Sequence, residues 1–136
     1  DADGHILRQV PPQIKRRVIS PETARSVTKI LEGVITGGTG TKAAILGFRV
    51  AGKTGTAQKI DPRTGAYSAT RVVASFAGYV PADMPQLAML VVIDEPQGDT
   101  SGGSVAAPVF SRVGEQVLSY LGVPSDAPVT LAMASR

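Results

Sequence analysis

Val50-Ala51-Gly52-Lys53-Thr54-Gly55-Thr56-Ala57-Gln58 is the stretch on which the reading of this chain turns. With the residues just before it, Gly47-Phe48-Arg49-Val50-Ala51-Gly52-Lys53-Thr54 also fits GxxxxGK[ST], the pattern of a phosphate-binding loop. Such a loop needs its lysine to open a helix, so that the helix N-terminus aims N–H groups at phosphate. Here Gly55 follows Thr54, Pro62 arrives nine residues after Lys53, and Thr56, Ile60 and Gly65 lie nearby, which is poor helix. Phe48-Arg49-Val50-Ala51 is also bulky where a phosphate loop needs small residues. The competing reading lays Lys53-Thr54-Gly55 on a strand. Thr54 and Thr56 then share a face, and two hydroxyls and an ammonium converge on one spot suited to a carboxylate. Gly55 leaves room where a substrate comes close, and an edge strand can take an extended peptide as a further strand.

Outward from this stretch the chain reads as an antiparallel meander between two helices. Strand-like runs over 50–60, 71–80 and 87–94 are separated by turn signals at Asp61-Pro62-Arg63-Thr64-Gly65 and Pro81-Ala82-Asp83-Met84-Pro85. Leu87 to Asp94 is apolar at consecutive positions and is expected to be buried on both faces. Its Leu90-Val91-Val92-Ile93-Asp94-Glu95 is also the second half of the nucleotide-hydrolase pattern, an apolar strand ending in a magnesium-holding Asp. Upstream, Ser20-Pro21-Glu22 opens a helix with Ser as N-cap, Pro in the first turn and a carboxylate at the positive end. Ala24, Val27, Ile30, Leu31, Val34 and Ile35 form its expected buried face, and Gly37-Gly38 ends it. Downstream, Gly102-Gly103-Ser104 opens a second helix with Ser104 as the expected N-cap. Val105, Val109, Phe110, Val113, Val117, Leu118 and Leu121 make its apolar face, and Gly122 with Pro124 stops it. The predicted class is α+β: a sheet of about three antiparallel strands with the N- and C-terminal helices packed on it, both on one face.

At 136 residues the chain is about one domain. Hydrophobic residues make up 43% and charged residues 18%, which excludes a disordered or fibrous chain. The longest apolar run, Leu87 to Ile93, is far shorter than the ~20 residues of a membrane span, and no signal-peptide layout is present. Beginning at Asp1, the chain is expected to be cut from something longer. Cysteine, tryptophan and asparagine are absent and His5 is the only histidine. Disulfides, thiol nucleophiles, zinc sites and histidine triads are thereby removed. Residues 1–71 hold 12 Lys/Arg against 5 Asp/Glu, and residues 72–136 hold 2 against 6. A basic first half suits an anionic ligand. Few aromatics and no basic helical stripe argue against nucleic acid, and Lys15-Arg16-Arg17 reads as a solvated turn or strand end.

The string from Val50 to Gln58 strongly resembles the third motif of class B penicillin-binding proteins, the cell-wall transpeptidases of division and elongation. Gly38-Thr39-Gly40-Thr41, Phe76-Ala77-Gly78-Tyr79-Val80-Pro81, Leu90 to Pro96 and Gly102-Gly103-Ser104-Val105-Ala106-Ala107-Pro108-Val109-Phe110 agree in order and spacing. The resemblance covers roughly residues 20–122. It identifies 1–122 as the C-terminal part of a transpeptidase domain of the serine β-lactamase-like fold, with 123–136 an Ala/Pro-containing tail or linker.

The resemblance implies a D,D-transpeptidase. An upstream serine attacks the D-alanyl-D-alanine end of a peptidoglycan stem peptide, and the acyl-enzyme is resolved by an amine of a neighbouring peptide. β-Lactams acylate the same serine. Lys53 and Thr56 are the implied catalytic residues and Thr54, Gly55 and Thr56 the substrate-binding ones. Lys53 supplies positive potential, the Thr54 and Thr56 hydroxyls hold the carboxylate, and the Thr56 N–H is one oxyanion donor, worth ~3–4 kcal/mol in comparable sites. Related enzymes pair Lys-Thr-Gly with Ser-x-x-Lys and Ser-x-Asn. Ser26-Val27-Thr28-Lys29 fits Ser-x-x-Lys in letters, but Ser26 lies only 27 residues before Lys53, within a helix resembling a later family element. It reads as a helix-surface pair. Ser-x-Asn cannot occur without asparagine. The chain is thus expected to lack its nucleophile and to be inactive alone. Further implications are partnership with the rest of its own domain and with divisome or elongasome proteins, and an extracytoplasmic place at the periplasmic face through an anchor absent here. No metal or organic cofactor is implied. Two other readings stay open: a nucleotide-binding domain, which requires a helix after Lys53, and a non-catalytic interaction module of the same fold.

Overall fold

The computed structural model describes residues 11–126. A helix α1 (Pro21–Thr36) and a 3₁₀ turn (Thr41–Ala43) lead into strands β1 (Ala51–Ile60), β2 (Tyr67–Val80) and β3 (Leu87–Asp94). A four-residue helix α2 (Gly102–Val105) and a helix α3 (Ala107–Tyr120) complete the body. The strands form one antiparallel sheet in the order β1-β2-β3. Helices and an antiparallel meander make the chain α+β, as its turn signals predict.

Residues 51–60 are strand throughout, so no helix follows Lys53. The phosphate-loop reading of Gly47–Thr54 fails on the geometry it requires.

β2 is the middle strand, and its alternation sorts the structure into two faces. Phe76 is fully buried and meets the buried Phe110 of α3 edge to face, with ring centroids 4.8 Å apart. Around this pair gather Ile35, Ile45, Val50, Val80, Ala106, Ala107 and Leu118, and Leu87, Met89, Val91 and Ile93 of β3 pack against them. On the opposite face Tyr79 and Ala77 lie beside Ala88 and Leu90. There Thr28 of α1 reaches the Tyr79 phenol at 2.8 Å. The two long helices therefore do not share one face: α3 covers the Phe76 side, and the middle of α1 reaches the Tyr79 side.

Several expectations about burial need correction. β3 alternates half-buried and exposed, with Leu90 64% and Val92 54% exposed, so it is buried on one face only. In α1 only Ile35 is buried; Ala24, Leu31 and Val34 are half-buried, and Val27 and Ile30 are exposed. In α3 the core-facing residues are Ala107, Phe110, Gly114 and Leu118, while Val109, Val113 and Leu121 face out. Gly114 belongs to this set because Ile45 packs where its side chain would stand; a Cβ there would lie 2.7 Å from Ile45 Cδ1.

The caps follow local chemistry. Ser20 accepts from the Thr23 N–H at 3.1 Å with Pro21 in the first turn, as read from sequence. At the other end the cap is Ser101, not Ser104. Ser101 Oγ accepts from the Ser104 N–H, so α2 begins three residues earlier than expected, and Pro108 instead occupies the first turn of α3. Beyond α3, Val123 to Asp126 return to the body. The Asp126 carboxylate accepts the Arg49 backbone N–H at 2.8 Å, and the Arg49 side chain also pairs with Asp83 and Glu32.

Candidate functional site

β1 is an edge strand. Among the described residues it pairs with β2 alone, leaving its other side open. An unpaired strand edge offers backbone donors and acceptors to an extended ligand.

Lys53, Thr54, Gly55 and Thr56 stand opposite Ala77, Phe76, Ser75 and Ala74 of β2. Thr54 and Thr56 thus project to the Phe76 face and Lys53 to the other, yet the long lysine side chain bends back. Its Nζ donates to the Thr54 carbonyl at 3.0 Å and to Thr54 Oγ at 3.1 Å. Lys53 is exposed, and among the described residues its ammonium enters no ion pair. Its charge is left to attract an anion.

The two threonines are held by different neighbours. Thr54 Oγ lies 2.7 Å from Thr39 Oγ, which comes from the loop between α1 and the 3₁₀ turn. Thr56 Oγ accepts the Gly102 N–H at 3.1 Å, from the start of α2. The structure therefore joins Lys53 directly to Thr54, while Thr56 shares the face of Thr54 and is tied to α2.

Gly55 has a structural reason to be glycine that the sequence did not disclose. A Cβ there would lie 2.5 Å from Ser75 Oγ on the neighbouring strand. Gly102 is equally constrained, since a Cβ on it would collide with the carbonyl oxygens of Ser75 and Gly55. The α2 N-terminus thus rests directly on the backbone of the Lys-Thr-Gly segment. Thr39, Ser75 and Gly102 are neighbours of this segment that the sequence reading missed. Gly102 stood in a quoted motif as a helix opener, and Thr39 stood in a glycine-rich loop; nothing local said that either reaches β1.

Ser26 and Lys29 are both exposed on α1. Farther along the sheet, Lys59 bridges Asp94 and Glu95 at 2.9 and 2.8 Å, a surface network that closes the distal end. Among the described residues no helix is long and apolar enough to cross a membrane, and no cluster of His, Cys, Asp or Glu could hold a metal ion.

Residues 2–115 match the family model described as the penicillin binding protein transpeptidase domain. The chain belongs to that family. It is 42% identical over 118 residues to stage V sporulation protein D of Bacillus subtilis, covering 86% of this chain and 18% of that protein. It is 43% identical over 127 residues to the peptidoglycan D,D-transpeptidase FtsI of Escherichia coli K12, covering 92% of this chain and 21% of the relative. The chain thus spans about a fifth of the length of these relatives.

Solved transpeptidase structures agree. The apo transpeptidase domain of penicillin-binding protein 3 from Burkholderia pseudomallei superposes with a TM-score of 0.74 at 43% identity, over 83% of this chain and 34% of that one. Penicillin-binding protein 3 of Mycobacterium tuberculosis, solved in complex with aztreonam, gives 0.78 at 34% identity over 90% of this chain and 29% of that one. The transpeptidase fold of this chain is therefore supported by sequence and by shape.

Proposed function

We propose that this chain is the C-terminal part of a serine-type D,D-transpeptidase domain and supplies the strand on which a carboxylate-ended donor peptide is held. The observation that carries the reading is the open edge of β1, where the Lys53 ammonium and the Thr54 hydroxyl meet at 3.1 Å. Lys53 provides positive potential for the substrate carboxylate and for the acylated serine of the whole enzyme. Thr54 and Thr56 hold the carboxylate. The Thr56 N–H serves as one oxyanion donor, acting where charge develops in the tetrahedral intermediate. The nucleophile comes from a part of the domain outside this sequence, which has no asparagine for a Ser-x-Asn element.

The relatives named peptidoglycan D,D-transpeptidases favour the stem-peptide donor, and the aztreonam and ampicillin complexes of one neighbour favour acylation by β-lactams. Cross-linking of stem peptides takes place outside the cytoplasmic membrane, so the parent enzyme is placed at its outer face, with division or elongation proteins as partners. The test is labelling with a fluorescent penicillin. The full-length protein carrying this segment is expected to be acylated stoichiometrically, and the 136-residue chain alone is expected to remain unlabelled. A full-length protein that resists labelling while folded would sink the reading.

A further inference from the structure

Thr39 has no part in the reading above, yet its hydroxyl lies 2.7 Å from Thr54 Oγ in the Lys-Thr-Gly segment. Building on that reading, we propose that Thr39 is a positioning residue: its hydroxyl sets the hydrogen-bond polarity of Thr54, so that Thr54 meets an anionic ligand as a donor.

A threonine hydroxyl has one proton and two lone pairs. The Lys53 ammonium can only donate, and at 3.1 Å it occupies one lone pair of Thr54 Oγ. Thr39 Oγ lies 2.7 Å away and either hydroxyl can donate across this contact; in the arrangement proposed here Thr39 donates, fills the second lone pair and so restricts the Thr54 O–H to the one direction that remains. The Thr54 proton is then left for an incoming carboxylate, and a charge-assisted bond of that kind is stronger than a neutral one. Thr56 reaches the same state by another route, because the Gly102 N–H that it accepts has no alternative direction. Thr54 receives no such backbone donor among the described residues, and Thr39 stands in its place.

The approach of Thr39 is built into the loop. A Cβ on Gly103 would collide with the Thr39 carbonyl oxygen and would touch Thr54 Cγ2 at 3.5 Å, so the glycine lets the loop come within reach. On either side of Thr39, Gly38 and Gly40 lie tightly against α1; a Cβ on Gly38 would sit 2.8 Å from Val34 Cα, and one on Gly40 3.1 Å from Ile35 Cδ1. Thr39 is itself exposed, so its hydroxyl is not satisfying a buried group that water could not reach.

The class of ligand that feels this arrangement is an acyl donor bearing a free carboxylate. The probes are a penicillin as free acid and the same penicillin as its methyl ester, with acylation rates measured on the full-length protein for wild type, Thr39→Val and Thr39→Ser. Thr39→Val is expected to lower the acid-to-ester rate ratio about five-fold, the size of one hydrogen bond lost, and Thr39→Ser to restore it. Thr39→Ala, which cannot overpack the loop, should repeat the loss with an unchanged melting temperature. An unaltered ratio in the valine and alanine variants, or an equal fall for both probes, overturns the proposal while leaving the functional reading intact. Absence of acylation in wild type overturns the functional reading itself.

Discussion

The Gly102 N–H donates to Thr56 Oγ at 3.1 Å, joining residues 46 positions apart at the point where α2 meets β1. This bond lets a loop remote in sequence hold a threonine of the candidate site in one rotamer, and it requires the two backbones to lie closer than a side chain permits.

Gly102→Ala is accordingly expected to damage both stability and function. The added methyl meets the carbonyl oxygens of Ser75 and Gly55, which are backbone atoms and cannot turn away. Overpacking of this kind costs typically ~1–3 kcal/mol. Thermal melting of the intact domain should show the loss, and penicillin acylation should fall at least ~10-fold as Thr56 shifts. A variant with wild-type melting and acylation would show that α2 does not seat the strand.

Gly114→Ala offers the contrast. Its added Cβ meets the far end of a flexible side chain, 2.7 Å from Ile45 Cδ1, and a helix interior gains up to ~1 kcal/mol from the exchange. The two effects oppose, so the melting temperature should change by less than the equivalent of ~1 kcal/mol. A loss as large as that of Gly102→Ala would mean that Ile45 cannot yield.

Gly55 invites a test that separates packing from substrate approach. Gly55→Ala sets a Cβ 2.5 Å from Ser75 Oγ but 3.9 Å from Ser75 Cβ, so adding Ser75→Ala relieves the contact. The single variant is expected to melt lower and the double variant to recover most of that stability. If acylation stays depressed in the double variant, the glycine serves the ligand; full recovery would assign it to the sheet alone.

Phe76 and Phe110 are both fully buried, and each truncation to alanine is expected to cost ~3–5 kcal/mol. Their edge-to-face geometry, 4.8 Å between centroids at 61°, predicts a coupling of ~0.5–1.5 kcal/mol in a double-mutant cycle read by denaturant unfolding. Strict additivity would remove the aromatic contribution.

Asp99 ties stability to acidity next to α2. The Ser101 backbone N–H, at 3.0 Å, and then the Ser104 hydroxyl hold its carboxyl below the ordinary aspartate value of 3.8. A carboxyl depressed in the folded state stabilises fully above its unfolded value, and that contribution is lost as pH falls through the folded one. Below pH 3.8 the melting temperature should therefore fall less steeply in Asp99→Asn than in wild type, with convergence at the lowest pH.

The meander, the capped start at Ser20 and the strand over Lys53 were legible, because turn residues and caps act within a few positions. The Ser104 cap was misplaced because Asp99-Thr100-Ser101 and Ser104 carry similar chemistry, and only the path of the chain decides which hydroxyl meets a free N–H. The outward exposure of Leu90, Val92, Val27 and Ile30 was not legible either. An apolar residue states what it tolerates, and nothing among the described residues covers those four. At the site, Lys53 and Thr54 were readable from adjacency and alternation, whereas Thr39, Ser75 and Gly102 are brought in by tertiary contacts that leave no local trace.

The alternation of β3 has a consequence for strand pairing. Sliding it by one residue against β2 would replace the inward row Leu87, Met89, Val91 and Ile93 with Ala88, Leu90, Val92 and Asp94. Two of those exchanges, Leu90 for Met89 and Val92 for Val91, nearly conserve volume and carry little penalty, while Ala88 for Leu87 empties part of the row that packs on the core. The fourth would drag a carboxylate off Lys59 and into the row that packs against the core, without a partner. An acidic residue at the end of the strand thus reinforces one alignment of a largely apolar ribbon over its neighbour, together with the bulk of Leu87 at the other end.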